Sequence, residues 1–243
     1  MEVSVKQKSI ACIKNFWLTV LFLLATGHGL YADQKQPDDV NNPPGSKSGS
    51  SSLEASNSGE LWWKKWDVVV KNPDDPNELV CAKLNAVIGV LQSKELEQGD
   101  KEKIIDKIIS PFFDFDLMSK LVLGRTNWLR LTPAEQKKFT ELFTLRLKNS
   151  YLEKIILYKD EKVRLGPAVP QKMGIFIPMD VLSDGGKVAV LYKLRKADNR
   201  WKIYDVEIQG VSILLTYRSQ FDDVLHRGTV KDLFTHLEKS AAK

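Results

Sequence analysis

Apolar side chains in the first half of the chain recur every three or four residues, the spacing of an amphipathic helix. One helix is predicted over residues 77–92 and a second over residues 101–109. A third helical segment, residues 111–124, is predicted to end at Gly124. The apolar side of the first helix is formed by Val80, Leu84, Val87, Ile88 and Leu91.

Capping residues mark the start of a longer helix, predicted over residues 133–158. Thr132 is a suitable N-cap, Pro133 stands in the first turn, and Glu135 follows the cap by three residues, as in a capping box. The apolar residues of this helix form two rows, Phe139–Phe143–Leu147–Tyr151 and Leu142–Leu145–Leu152–Ile156. The two rows cover more than half of the circumference, so the helix must have two different surroundings. Either it is a central helix packed between a sheet and other helices, or one row faces a cavity.

From about residue 163 the pattern changes to an alternation of apolar and polar residues, which is typical of β-strands. Strands are predicted over residues 172–182 and 187–194, joined by the hairpin sequence Ser-Asp-Gly-Gly, and a third strand begins near Trp201. Pro178 lies inside the first of these strands and indicates an edge strand or a bulge. The short connections predict an antiparallel meander.

Residues 201–221, WKIYDVEIQGVSILLTYRSQF, pass from a strand through Gly210 into a helix. Ser212 can cap this helix. Its apolar residues follow at helical spacing and are Leu214, Tyr217, Phe221 and Leu225. Thr229 begins a last helix. The fold class predicted from these elements is α+β, with a helical N-terminal half packed over an antiparallel meander sheet and closed by C-terminal helices.

Composition divides the chain into three parts. Residues 1–32 have the basic start and the short uncharged apolar run of a cleaved signal peptide. Residues 33–60 are rich in Ser, Gly, Pro, Asn and Asp and are predicted to be a disordered tether, so the folded domain comprises residues 61–243. Removal of residues 1–32 takes away three lysines and one glutamate and lowers the net charge from +5 to +3. That charge is too small and dispersed to indicate a nucleic-acid partner.

Few side chains in the predicted domain are suited to catalysis or metal binding. His226 and His236 lie on different predicted helices, and Cys81, the only cysteine after the signal peptide, is interpreted as a small buried residue. The sequence contains no HExxH, CxxC, GxSxG or Walker A motif. We therefore predict no metal site, no cofactor, no catalytic residue and no enzymatic activity.

Three aspartates stand in notable positions. Asp114 and Asp116 fit best as carboxylates at a helix start, where the helix dipole favours negative charge. Asp205 lies in a largely apolar strand, and we interpret it as the partner of Arg200 or Arg218.

The segment 201–221 resembles the C-terminal signature of the MlaC family, also called the toluene-tolerance or Ttg2-type ABC-transporter auxiliary proteins. Further matches occur in order along the chain: LVLG at 121–124, LTPAEQKKF at 131–139, and Tyr151. The resemblance covers the chain from about residue 77 to its end. It implies a periplasmic carrier that holds the acyl chains of a phospholipid in a cavity between helices and sheet. It also implies transfer between an outer-membrane lipoprotein complex and an inner-membrane ABC transporter complex with an MCE-domain protein, and we expect the carrier to be a monomer.

An apolar cavity suits such a cargo. Two acyl chains contain about 30 methylenes, and their exposure to water would cost on the order of 25 kcal/mol. We expect the acyl chains to contact apolar side chains of the long helix, the sheet and the strand–helix junction. These residues are Leu123, Phe139, Phe143, Leu147, Tyr151, Ile175, Ile177, Val190, Tyr192, Trp201, Val211 and Tyr217. Two alternatives remain open, a cone-shaped α+β enzyme acting on a hydrophobic small molecule and an interaction module with a solid core.

Overall fold

The computed structural model of the chain describes residues 66, 70–155, 158, 161–183 and 186–241. The predicted signal peptide and tether lie outside the described residues. Within the described part, six α-helices accompany one antiparallel sheet, which confirms the α+β prediction. The helices are α1 Pro76–Gln92, α2 Gln98–Ile109, α3 Phe115–Arg130, α4 Pro133–Ile155, α5 Ile213–Arg227 and α6 Val230–Ala241. The strands are β1 Lys162–Leu165, β2 Val169–Gln171, β3 Gly174–Ser183, β4 Gly186–Ala197, β5 Arg200–Ile208 and β6 Val211–Ser212.

Polar side chains fix the helix starts as the sequence predicts. At α4 the Thr132 amide donates to Glu135 Oε2 at 2.8 Å, and the Glu135 amide donates to Thr132 Oγ1 at 3.3 Å, which completes a capping box. The hydrogen bonds from the Thr132 backbone and side chain hold the pKa of Glu135 below its ordinary value. At α5 the Leu215 amide donates to Ser212 Oγ at 3.1 Å. Asp114 caps α3 by accepting from the Leu117 amide at 3.1 Å.

The third predicted helix does not end at Gly124. This glycine has φ 68° and ψ 161°, so the chain kinks there and then continues as helix to Arg130. The left-handed φ explains why glycine occupies the kink. The helix resumes because Trp128, beyond the kink, packs against the same core as Met118 and Val122 before it.

The sheet has the strand order β1-β3-β4-β5-β6, and β2 pairs with the same side of β3 as β1. The strand containing Pro178 is therefore not an edge strand, which was one of the two structures that the proline indicated. The Gly166 amide donates to Pro178 O at 2.8 Å, so the backbone edge of Pro178 faces the gap between β1 and β2. No ladder bond is lost there, because β1 has already ended at Leu165.

Aromatic side chains fill the space between α4, α5 and α6. Phe139 and Phe143 stack with ring centroids 5.9 Å apart, and both meet Phe221 edge to face at 5.7 and 6.0 Å. Tyr217 contacts Phe143 edge to face at 5.4 Å. All four side chains are fully buried. We call this group the aromatic cluster.

Asp205 is buried, but its partner is Lys193 and not either of the predicted arginines. Lys193 Nζ lies 3.0 Å from Asp205 Oδ2, and Ser212 Oγ donates to the same oxygen at 2.8 Å. The Val206 and Leu214 amides donate to Asp205 Oδ1 at 2.9 and 3.3 Å. Burial alone would lower the pKa of Lys193, but the hydrogen bonds and charges of Glu207 and Asp205 raise it overall. The carboxylate thus joins β4, β5 and the start of α5.

We predict that Asp205→Ala lowers the free energy of unfolding by about 3 to 5 kcal/mol, because two backbone amides and the Ser212 hydroxyl lose their buried acceptor, while Lys193 keeps Glu207. Asp180→Ala is the matched control, since its partner Lys187 is 58% exposed and the pair is worth at most about 1 kcal/mol. Urea denaturation of both variants measures the difference. Equal losses in the two variants would contradict this account of Asp205.

Candidate functional site

A cavity of about 280 Å³ lies between the helices and the sheet. Its volume is close to the lower end of ordinary ligand sites, roughly 300 to 1,000 Å³. Helix α1, the end of α2, the second half of α4 and three strands of the sheet provide most of its wall. The apolar side chains that line it are Val80, Leu84, Val87, Ile88, Leu91, Ile109, Phe112, Phe113, Met118, Leu147, Ile155, Val163, Met179, Val181, Val190, Ile203, Val206, Ile208 and Ile213.

One face of the sheet forms the floor of the cavity. Alternate residues of a strand point to the same face, so Met179 and Val181 of β3 stand beside Val190 and Tyr192 of β4. The register pairs Met179 with Val190. On β5 a register shift lies opposite Lys193/Leu194, and on either side of it Ile203, Val206 and Ile208 line the cavity.

Helix α1 forms the opposite wall. Its apolar stripe, already visible in the sequence, runs along the cavity from Val80 through Leu84 and Val87 to Leu91. This helix starts firmly, because Asp75 Oδ1 accepts from the Asn77 and Glu78 amides at 2.8 and 3.3 Å. Packing covers the apolar stripe of α1 only in part, since Leu84 and Leu91 are half-buried. Apolar surface therefore remains available inside the protein.

Helix α4 has both of the surroundings predicted for it. Its first half packs in the core, and its second half faces the cavity. Phe139 and Phe143, in the first half, belong to the aromatic cluster and contribute nothing to the cavity wall. Leu147 and Tyr151, two turns further on in the same row, line the cavity. The helix is thus a central packing element at its start and a cavity wall at its end.

Tyr151 links this wall to α2 through a small polar network. Its hydroxyl donates to Asp106 Oδ1 at 3.1 Å, and Ser110 Oγ donates to the same atom at 2.5 Å. Lys148 Nζ lies 3.0 Å from Asp106. Burial raises the pKa of Tyr151 well above its ordinary value, and the charge of Asp106 and the hydrogen bond to it add to the rise. The phenol stays protonated and holds α2 against α4.

Charged side chains reach the cavity wall from three places. Lys83 comes from α1, Lys154 from the last turn of α4, and Glu161 from the residue before β1. Each is half-buried, so none lies in the dry interior. We call this group the polar rim. The remainder of the wall is apolar apart from four hydroxyl groups.

The structure brings four of the twelve predicted lipid contacts together at the cavity. These are Leu147, Tyr151, Val190 and Tyr192. The other eight lie elsewhere. They are Leu123, Phe139, Phe143, Ile175, Ile177, Trp201, Val211 and Tyr217.

The eight have physical reasons for their positions. Leu123, Phe139, Phe143 and Tyr217 fill the core between α3, α4, α5 and α6, and Ile177 is fully buried in the core on the sheet, where Ile175 also packs. Trp201 Nε1 donates to Asp74 O at 2.8 Å, which anchors the tryptophan to the segment before α1. Val211 is 41% exposed on the short strand β6.

Sequence reasoning missed most of the wall. The α1 stripe was identified as apolar but was not assigned to the cavity. Met179, Val181, Ile203, Val206 and Ile208 were also missed. The signal that could have found them is the common face they share with Val190 and Tyr192 once the strands are paired.

Cys81 is exposed, which corrects its interpretation as a buried residue. It stands next to Val80 on α1 but on the outer side of the helix.

Among the described residues no group of three or more His, Cys, Asp or Glu is arranged to hold a metal ion. In the same part of the chain, none of the helices has the length and apolar character needed to cross a membrane.

Comparison with known proteins identifies the family. The MlaC protein family matches residues 82–239, which is more than half of the chain, so this chain belongs to the MlaC family. It is 25% identical to the toluene tolerance protein Ttg2D of Pseudomonas putida over 63% of this chain and 74% of that protein. It is 24% identical to the intermembrane phospholipid transport system binding protein MlaC of Haemophilus influenzae over 58% of this chain and 68% of that protein.

A solved structure has the same fold. The phospholipid-binding protein of Ralstonia solanacearum, determined in complex with a phospholipid, superimposes with a TM-score of 0.62. It is 25% identical to this chain, and the match covers 69% of this chain and 97% of that structure. These findings confirm the family resemblance and the fold predicted from the sequence.

We predict that a charge in the cavity wall separates ligand retention from folding. Val190→Asp should reduce bound lipid severalfold, while water entering the cavity limits its cost to stability. Ile177→Asp is the matched control, because Ile177 is fully buried and does not line the cavity, so its replacement buries a carboxylate in packed core. Lipid content by mass spectrometry and thermal unfolding of both variants test this. A Val190→Asp variant that unfolds as readily as Ile177→Asp would show that Val190 borders no usable space.

Proposed function

We propose that this protein is a phospholipid-binding carrier. The observation that carries the proposal is the apolar cavity between α1, the second half of α4 and the sheet, in a fold shared with a phospholipid-bound protein. The transfer of acyl chains out of water supplies the binding energy without acids, bases or metals. The alternative of an interaction module with a solid core does not account for this space. The alternative of an enzyme is not supported by any group of catalytic side chains among the described residues.

The phosphate of the ligand belongs at the polar rim. A phosphate charge within the apolar part of the cavity would cost far more than one neutral hydrogen bond returns. At the rim, Lys83 and Lys154 offer two positive charges against the single negative charge of Glu161. The acyl chains then extend between the α1 stripe and the sheet.

The place of action that fits these properties is the periplasm. The composition of residues 1–32 favours export, and the relatives named above belong to phospholipid transport and toluene tolerance. The carrier would take lipid from one membrane complex and release it to another. The partners implied by the family are an outer-membrane lipoprotein complex and an inner-membrane ABC transporter complex with an MCE-domain protein. Transfer requires only that the two partners differ in their affinity for lipid, and no chemical step is needed.

The protein should contain one diacyl phospholipid per monomer. Native mass spectrometry of protein purified without detergent measures this directly, and the mass increment identifies the lipid. A homogeneous lipid-free mass that stays unchanged after incubation with phospholipid vesicles would overturn the proposal.

Lipid recovered from the protein should be chemically unaltered. Incubation with labelled phospholipid followed by lipid analysis tests this, with Cys81→Ala and a chelator as controls. Lysophospholipid or free head group that accumulates with time and protein, and disappears in either control, would favour the enzyme instead.

A chain that begins at Glu60 should fold and bind lipid like the full mature protein. Residues 33–60 contain little apolar surface to contribute to either process. Lipid content and thermal unfolding of the two forms provide the comparison. Loss of binding on truncation would assign the segment a part in the site.

A further inference from the structure

Four hydroxyl groups line the cavity, and three of them are satisfied by the protein. The Tyr151 hydroxyl donates to Asp106, and that of Tyr158 donates to Glu161 O at 2.7 Å. Ser150 Oγ lies 3.2 Å from the Tyr217 hydroxyl, with which it shares a hydrogen bond. The fourth is Tyr192, which has no hydrogen-bond partner among the described residues.

Tyr192 lies in the middle of the sheet floor. Its register neighbours are Ile177 on β3 and Val206 on β5, so both flanking side chains are apolar. The side chain is half-buried, and it is one of the side chains that line the cavity. Burial raises the pKa of Tyr192 to about 12, so the phenol is protonated at any physiological pH and is a hydrogen-bond donor.

When acyl chains fill the cavity the Tyr192 hydroxyl loses access to water, and a donor then left without an acceptor costs on the order of 1 to 3 kcal/mol. Phenylalanine would fill the same position on the sheet without that cost. The tyrosine is therefore explained if the ligand brings the acceptor. Since the surrounding wall is apolar, a neutral acceptor is favoured over a charged one, whose desolvation would exceed the gain of a single bond.

The neutral acceptors of a diacyl phospholipid are the carbonyl oxygens of its two acyl esters. We propose that the Tyr192 hydroxyl donates a hydrogen bond to an ester carbonyl of the bound lipid, an inference that rests on the proposed function. Tyr192 then makes the cavity selective for ester-linked phospholipids over ether-linked ones, which have the same chains but no carbonyl. The apolar wall cannot make this distinction, because it contacts both kinds of chain equally.

The test uses vesicles that contain equal amounts of an ester-linked and an ether-linked phospholipid with the same head group and chain length. Lipid captured by the protein is quantified by mass spectrometry. The unsubstituted protein should enrich the ester form roughly three- to tenfold, the range for one neutral hydrogen bond. Tyr192→Phe should bind both forms in equal amounts and should keep its fold, since it loses only the hydroxyl.

Tyr158→Phe is the matched control. It removes a hydroxyl from the same wall whose partner is the protein backbone, so it should preserve the ester preference. The inference is overturned if the unsubstituted protein captures both lipids equally, if Tyr192→Phe keeps the preference, or if Tyr192→Phe weakens capture of both forms alike. Unsubstituted protein that captures neither lipid would refute the proposed function itself, a result distinct from the other three.

Discussion

The aromatic cluster is the contact on which the cavity depends. Phe143 meets Tyr217 at 5.4 Å and Phe221 at 6.0 Å between ring centroids, which fixes the first half of α4 against α5. Aromatic pairs of this geometry contribute about 0.5 to 1.5 kcal/mol each beyond their buried area. The same core continues along α4 to Leu147 and Tyr151, so the helix is held firmly where these two side chains line the cavity. An apolar space next to a packed core persists only if such rigid supports hold its walls apart.

Two polar networks hold the remaining walls in place. Asp205 joins β4, β5 and α5 with Lys193 and Ser212, and Asp106 joins α2 to α4 through Lys148 and Tyr151. Both carboxylates accept from several donors, which the buried charge of Asp205 requires. Hydrogen bonds are directional, so they fix the relative positions of elements that apolar contacts alone would allow to slide together. The charged groups of both networks lie outside the cavity wall, which leaves its apolar surface free for a ligand.

Local signals allowed the sequence to predict the elements and the family, whereas the wall depended on pairing. The capping box of Thr132 and Glu135 and the cap at Ser212 involve residues three apart, so their spacing is visible along the chain. The prediction that Phe143 lines the cavity was wrong, and the local pattern could not correct it. The side chain that covers Phe143 is Tyr217, which is 74 positions away in the sequence. The partner of Asp205 depended in the same way on the register of β4 against β5.

Apolar walls and polar groups have different roles in a carrier. Contact with methylene groups is non-directional and proportional to area, so it gives a carrier affinity but little discrimination among lipids with the same chains. Discrimination needs polar groups that form a hydrogen bond with one particular atom of the ligand. If the ligand lacks that atom, the buried donor stays unpaired and the binding free energy becomes less favourable. In this cavity such groups are few: the polar rim and the hydroxyl of Tyr192. A wall with many unsatisfied donors would bind one lipid too selectively to release it, whereas one donor on an apolar floor combines a preference with reversible binding.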